Sequence, residues 1–132
     1  MSEPTDKPAD VGPMPLPALT DFPSDQPVVM VNLLKFAEPD GLASYQRYGA
    51  AVMPFLERVG ASIVYGGTSP AFVIGEEGSP WWDVILVVEY PTPSAFLEMV
   101  TSEEYNAIHV HRAQALERAE LIATSHWPLT AS

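Results

Sequence analysis

Apolar residues along this chain occur in short blocks whose spacing changes between the periods of strands and helices. Residues 28–36, VVMVNLLKF, form a β-branched and aliphatic run that a Pro-Asp-Gly turn at 39–41 ends. Such a run predicts a strand. Steps of three and four residues then predict a helix that stops near Gly60, with Pro54 as a kink or break. The apolar stripe of this helix is Leu42, Tyr45, Gly49, Val52, Leu56 and Val59.

Two further strands are predicted in the middle of the chain. Residues 61–65, ASIVY, lead into a Gly-Gly pair, and a Ser-Pro turn separates them from the apolar run AFVIG at 71–75. This pattern indicates a second strand with a hairpin extension. Residues 81–90, WWDVILVVEY, are bounded by turn residues on both sides and predict the third strand.

The last third of the chain predicts helical segments followed by a strand. A short helix is expected from Ser94 to Met99, and a longer one from Ser102 to about Ala119, with acidic residues in its first turn. Residues 120–127, ELIATSHW, then predict the fourth strand. The order β-α-β-β-α-β is typical of an α+β, ferredoxin-like fold, with two helices on one face of a four-stranded antiparallel sheet.

The third strand is apolar on both of its faces. Val84, Leu86 and Val88 alternate with Ile85 and Val87, so the sheet face away from the helices also has to be covered. A second copy of the chain is the simplest cover. We therefore expect a homodimer.

The first residues differ in composition from the rest. Prolines recur through residues 1–26 and interrupt any regular period, which predicts a partly disordered N-terminal arm before a domain at 27–132. Apolar residues within 14–26 could order part of this arm against the domain. The opening residues show neither a basic nor an apolar signal region, so we expect a cytoplasmic protein.

Composition and charge exclude several classes of function. The chain of 132 residues is 47% hydrophobic, but it has no run of about 18 apolar residues, so we expect no membrane association. The formal net charge of −11 repels phosphate backbones and argues against nucleic acid as a partner. The absence of cysteine excludes disulfides, thiolate nucleophiles and cysteine-ligated metals.

Several short motifs in order carry a resemblance to a known family. VVMVNLLKF near the start, WDVILVVEYP at 82–91 and EEYNAIHVHRAQALERAELIAT at 103–124 look like the DUF1330 family of the dimeric α+β barrel superfamily. The resemblance covers about residues 27–125. It implies a ferredoxin-like protomer, a homodimer, and a small-molecule cavity between the sheet and the helices, but no reaction, because members of that superfamily perform many chemistries.

Candidate site residues lie on the first strand and the last helix. Asn32 interrupts an apolar strand, and its amide could either satisfy neighbouring backbone or bind a ligand oxygen. Tyr105, His109 and Arg112 are four and three residues apart and share one helical stripe. Imidazole can act as a general base, and guanidinium can bind a developing negative charge. His111 with Arg112 is the pair that the resemblance favours, so both histidines remain catalytic candidates.

Further candidates for ligand binding lie on the second and third strands. Trp82 could line the cavity or pack in an interface. Asp83 could orient a histidine or lie exposed. Tyr65 could form an aromatic part of the cavity wall. The chain has no nucleotide-binding, nucleophile-elbow or zinc-protease motif, and the two-residue spacing of His109 and His111 separates their side chains on a helix. We therefore expect no cofactor and no metal.

Three functions fit these residues. The first is a cofactor-independent enzyme that acts by acid/base chemistry on a small apolar carbonyl or aromatic compound, as single polar residues among apolar ones suggest. The second is a non-catalytic metabolite-binding or regulatory module. The third, narrower one is a haem-handling monooxygenase, because Asn32, Trp82 and His109 match residue types found in haem-degrading relatives of the fold.

Overall fold

The computed structural model describes residues 16–128 and has the expected ferredoxin-like α+β architecture. All neighbouring strands are antiparallel, in the order β2-β3-β1-β4. The elements, after a short 3-10 helix at Leu16–Asp21, are β1 Val28–Phe36, α1 Gly41–Val59, β2 Ser62–Thr68, β3 Val84–Tyr90, α2 Pro93–Val100, α3 Glu103–Ala115 and β4 Leu116–Thr124.

The alternation of side chains along β1 gives the sheet two different faces. The inner sheet face packs under the helices and includes Val28, Met30, Asn32 and Leu34 of β1, all buried. Full burial of an aliphatic side chain such as Leu34 contributes about 1.5–3 kcal/mol to stability. The residues that alternate with these along the strands point the other way and form the outer sheet face. This face is partly exposed in the isolated chain. It consists of Val29, Val31, Leu33, Ile85, Val87 and Ile122.

Helix α1 packs against the sheet and against α3 with a stripe that differs in part from the predicted one. Tyr48, Val52 and Leu56 are buried, whereas Leu42, at the start of the predicted stripe, is 54% exposed. The helix is not broken at Pro54 and continues to Val59. It ends at Gly60, which adopts the left-handed conformation (φ 78°) that favours glycine at a helix C-terminus.

The predictions for β2 and β3 need two corrections. No strand extends over residues 71–75, because Ser69 has a positive φ of 57° and Pro70 lacks an N–H, so the chain leaves the sheet. β3 starts at Val84 rather than at residue 81. The Asp83 carboxylate accepts a hydrogen bond from the Phe36 N–H (3.0 Å). This side-chain acceptor takes the place of the backbone carbonyl that a longer β3 would offer to Phe36.

The junction of α3 and β4 also differs from the prediction. The helix ends at Ala115 instead of Ala119, and β4 covers residues 116–124. The Ala115 carbonyl accepts a hydrogen bond from the Ala37 N–H (2.9 Å), and Leu116 is extended and 2% exposed, packed with Leu34. Tertiary pairing therefore overrides the high helix propensity of the following residues.

Part of the N-terminal segment packs on the domain. Leu19 in the 3-10 helix is 7% exposed and belongs to the main core, and Phe22 packs against the same core. Residues 1–15, the larger part of the predicted arm, lie outside the described part of the chain. The division into an arm at 1–26 and a domain at 27–132 stays a prediction.

Candidate functional site

A cavity of about 90 Å³ lies between the inner sheet face and helices α1, α2 and α3. Its walls are mostly apolar, with Met30 and Leu86 from the sheet and Val52 and Met99 from the helices. The cavity has room for a small organic molecule.

Asn32 and Arg112 form a polar pair in the cavity wall. Both are buried, at 7% and 5% exposure, although they lie on β1 and α3, far apart in the sequence. The Arg112 Nη2 donates to the Asn32 Oδ1 at 3.0 Å, and the Asn32 Nδ2 donates to the Leu86 carbonyl at 3.1 Å. The amide is thus held at both ends, and it fixes the guanidinium at one position in the wall.

Burial changes the electrostatics of Arg112. Loss of hydration lowers its pKa to about 10, which still leaves the guanidinium protonated at neutral pH. The other described residues that line the cavity are neutral at this pH. Among the described residues of this apolar and phenolic wall, Arg112 is thus the charged one.

A second polar feature is a chain of three hydrogen-bonding side chains. The Tyr48 and Tyr105 hydroxyls lie 2.8 Å apart, and the Tyr105 hydroxyl lies 3.3 Å from the His109 Nδ1. Both tyrosines line the cavity and are buried, whereas His109 is half-buried on α3. This Tyr48–Tyr105–His109 chain connects the cavity wall with the protein surface.

The pKa values of the side chains in the Tyr48–Tyr105–His109 chain follow from burial. Desolvation raises the pKa of the Tyr48 and Tyr105 phenols, so both stay protonated at neutral pH. Desolvation lowers the pKa of His109, which favours the neutral imidazole. A neutral imidazole has one acceptor nitrogen, so the Tyr105 hydroxyl can donate to His109 and accept from Tyr48.

Two more tyrosines complete the phenolic part of the wall. Tyr45 packs on Tyr48 with ring centroids 5.4 Å apart, and Tyr90 extends from β3 into the cavity lining. Burial is the main cause that raises the pKa of both phenols. Sequence analysis placed Tyr45 in the apolar stripe of α1 and did not single out Tyr48 or Tyr90. The spacing of Tyr45, Tyr48 and Val52 on α1 was the available signal.

The structure brings together only some of the residues predicted from the sequence. Asn32, Tyr105 and Arg112 line the cavity, and His109 reaches it through Tyr105. His111 is exposed on α3, so the periodicity argument that favoured His109 agrees with the geometry. The catalytic and ligand-binding roles of these residues stay predictions.

The remaining predicted residues lie away from the cavity. Tyr65 is 57% exposed and opposite Val87, a residue of the outer sheet face. Trp82 contacts Trp81 and Phe72 in edge-to-face geometry before β3 begins. Asp83 binds the Phe36 N–H and therefore does not orient either histidine of α3.

Residues 16–128 contain neither a cluster of metal-binding side chains nor a membrane-spanning helix. No three His, Asp or Glu side chains in that range converge to bind a metal ion. No helix in the same range is long and apolar enough to cross a membrane.

Comparison with known proteins gives a family and a fold. The model of the DUF1330 family, a domain of unknown function, matches residues 32–125. Among curated proteins, none matches the chain.

Solved structures match the chain over most of its length. A protein of unknown function from Rhodopseudomonas palustris is 29% identical, with a TM-score of 0.76 over 93% of this chain and 99% of that one. A dimeric ferredoxin-like protein of unknown function from Bacteroides fragilis is 15% identical, with a TM-score of 0.53 over 76% and 96%. Hydroxynitrile lyase from Passiflora edulis is 8% identical, with a TM-score of 0.62 over 81% and 99%.

Proposed function

Because the chain belongs to the DUF1330 family, whose function is unknown, we propose a function from its own residues: it binds a small, largely apolar molecule that carries a carboxylate or carbonyl oxygen. The observation that carries this proposal is the buried Arg112 in the cavity wall, held by Asn32. Arginine binds carboxylates with two parallel hydrogen bonds, and a low local dielectric strengthens the attraction. The apolar wall would hold the rest of the molecule.

The Tyr48–Tyr105–His109 chain supports acid/base chemistry on that molecule. Removal of a proton from the carbon next to a carbonyl leaves its electron pair in an enolate, whose oxygen would face the Arg112 guanidinium. The proton would pass to the Tyr48 oxygen while the Tyr48 and Tyr105 protons shift along the chain, and His109 would become the imidazolium. The phenols stay neutral before and after this transfer, in agreement with their raised pKa values.

The proposal includes a homodimer formed through the outer sheet face. That face is apolar and only partly buried in the isolated chain, and contiguous apolar surface of this kind favours association. The Bacteroides fragilis protein with the same fold is dimeric. A symmetric contact would pair the same face on both copies.

Binding can be tested by NMR of the methionine methyl groups, since Met30, Met53 and Met99 line the cavity. We expect propionate to shift the Met30 and Met99 signals. Uncharged propionamide should bind at least about tenfold more weakly, because the loss of a charge-assisted hydrogen bond costs about 1.5–3 kcal/mol. Arg112→Met should remove the preference for propionate. Arg47→Met, an exposed arginine on α1, is the matched control and should bind like the unmodified protein. No shift with either compound would refute the proposal.

Catalysis can be separated from binding by following deuterium exchange into the methyl group of pyruvate in D₂O. Acid/base catalysis predicts exchange above the buffer rate, reduced by about 10²-fold or more in Tyr105→Phe and His109→Gln. His111→Gln on the same helix is the comparison, because His111 is exposed, and it should retain the rate. Pyruvate binding without exchange would favour the non-catalytic binding module instead.

A further inference from the structure

Gly49 is an unusual residue for its place in the fold. It lies in the middle of α1 and lines the cavity. Glycine in a helix interior is destabilising relative to alanine, because it loses more backbone freedom on folding. A glycine at this position therefore calls for a physical reason.

The reasons that explain other glycines of this chain do not apply at Gly49. Gly60 has a positive φ of 78°, whereas Gly49 has no positive φ. A Cβ added at Gly41 would come within 2.5 Å of the Ala115 carbonyl oxygen, so close backbone packing requires glycine there. Apart from its chain neighbours and the backbone of its own helix, a Cβ added at Gly49 would meet no atom of residues 16–128 within 4 Å. Neither backbone conformation nor protein packing requires glycine at position 49.

Gly49 lies in the cavity wall beside this open space. The residues one helical turn away, Tyr45 and Met53, line the same wall, as does Val52. We propose that Gly49 sets the size limit of the ligand: the missing side chain leaves room for the branched apolar end of a short aliphatic carboxylate whose oxygens bind Arg112. This inference rests on the proposed function and adds the ligand's size and shape.

The test compares Gly49→Ala with the unmodified protein, using acetate, propionate and isobutyrate as probes and the methionine methyl signals as the readout. The added methyl group fills only empty space and favours the helix, so Tm of the protein without ligand should rise by about 3–5 °C. Isobutyrate should bind about tenfold or more weakly, the usual effect of one methyl group in an apolar pocket, while acetate stays within about twofold. Ala50→Gly, at the exposed neighbouring position, is the control: it should lower Tm and leave all three affinities unchanged.

The outcomes separate this inference from the proposed function. If Gly49→Ala binds the three probes like the unmodified protein, or weakens all three equally, Gly49 does not set the ligand size, although binding at Arg112 stands. A lower Tm in Gly49→Ala, or a change of oligomeric state in sedimentation, would also overturn the inference. If the unmodified protein binds none of the probes, the proposed function fails and this inference fails with it.

Discussion

At the scale of single residues, Asn32 and Arg112 show how a buried charge is kept in a largely apolar core. The guanidinium loses hydration on burial, and the hydrogen bond to the Asn32 Oδ1 offsets part of that loss. Apolar residues at both positions would avoid the desolvation of the charge. The proposed ligand binding would give a reason for a polar pair at this place.

This view predicts how the pair responds to substitution. Asn32→Leu should lower the free energy of unfolding by roughly 1–3 kcal/mol, because Arg112 stays buried and loses an acceptor. The double variant Asn32→Leu/Arg112→Met should recover most of that loss, since similar-sized apolar residues replace both partners. Urea unfolding of the single and double variants measures these differences. A double variant that is less stable than Asn32→Leu alone would show that the pair is primarily structural.

The sequence identified part of this site because some of its signals are local. Asn32 was recognisable as a polar residue within an apolar strand, and the stripe of Tyr105, His109 and Arg112 follows from helix geometry alone. The contact of Tyr48 with Tyr105 depends on how α1 packs against α3, and no local pattern contains that information. Tyr90 was missed for the same reason.

At the scale of elements, the start of β3 is fixed by Asp83 rather than by the preceding tryptophans. Its carboxylate accepts from the Phe36 N–H, its own N–H donates to the Leu34 carbonyl (2.7 Å), and Lys35 lies 4.0 Å away. The carboxylate therefore ties the first residues of β3 to the end of β1.

The contribution of each Asp83 contact can be separated. Asp83→Ala should cost about 0.5–1.5 kcal/mol of stability, the value of a typical net hydrogen bond, and should speed amide exchange at Phe36. Asp83→Asn keeps an acceptor oxygen and should cost less. Lys35→Met should have an effect below about 1 kcal/mol, because the ion pair is partly exposed. Equal losses in Asp83→Asn and Asp83→Ala would instead assign the effect to the charge.

The elements also show where periodicity stops being informative. Most strands and helices were predicted in the correct order, because apolar alternation and turn residues mark them. The boundary between α3 and β4 was wrong by four residues, because Leu116 to Ala119 consists of good helix formers. Their pairing with β1 is a long-range contact, and it overrides the local preference.

At the scale of the whole molecule, the sheet separates two different surfaces. Its inner face and the helices enclose the cavity, and its outer face is apolar but uncovered in the isolated chain. Val31 lies at the centre of the outer sheet face, opposite Val87 on β3 and Ile122 on β4. None of these three residues lines the cavity, so association and ligand binding can be tested independently.

Val31→Glu should convert the proposed dimer into a monomer. A face-to-face contact would bring the two introduced carboxylates into an apolar interface close to its symmetry axis, where desolvation and repulsion oppose association. Sedimentation equilibrium at micromolar concentration should give a dimer for the unmodified protein and for Ala50→Glu, which places the same charge on the exposed side of α1. Because Val31 points away from the cavity, the Val31→Glu monomer should still bind propionate. A monomeric unmodified protein, or a Val31→Glu variant that remains dimeric, would show that the outer sheet face is not the interface.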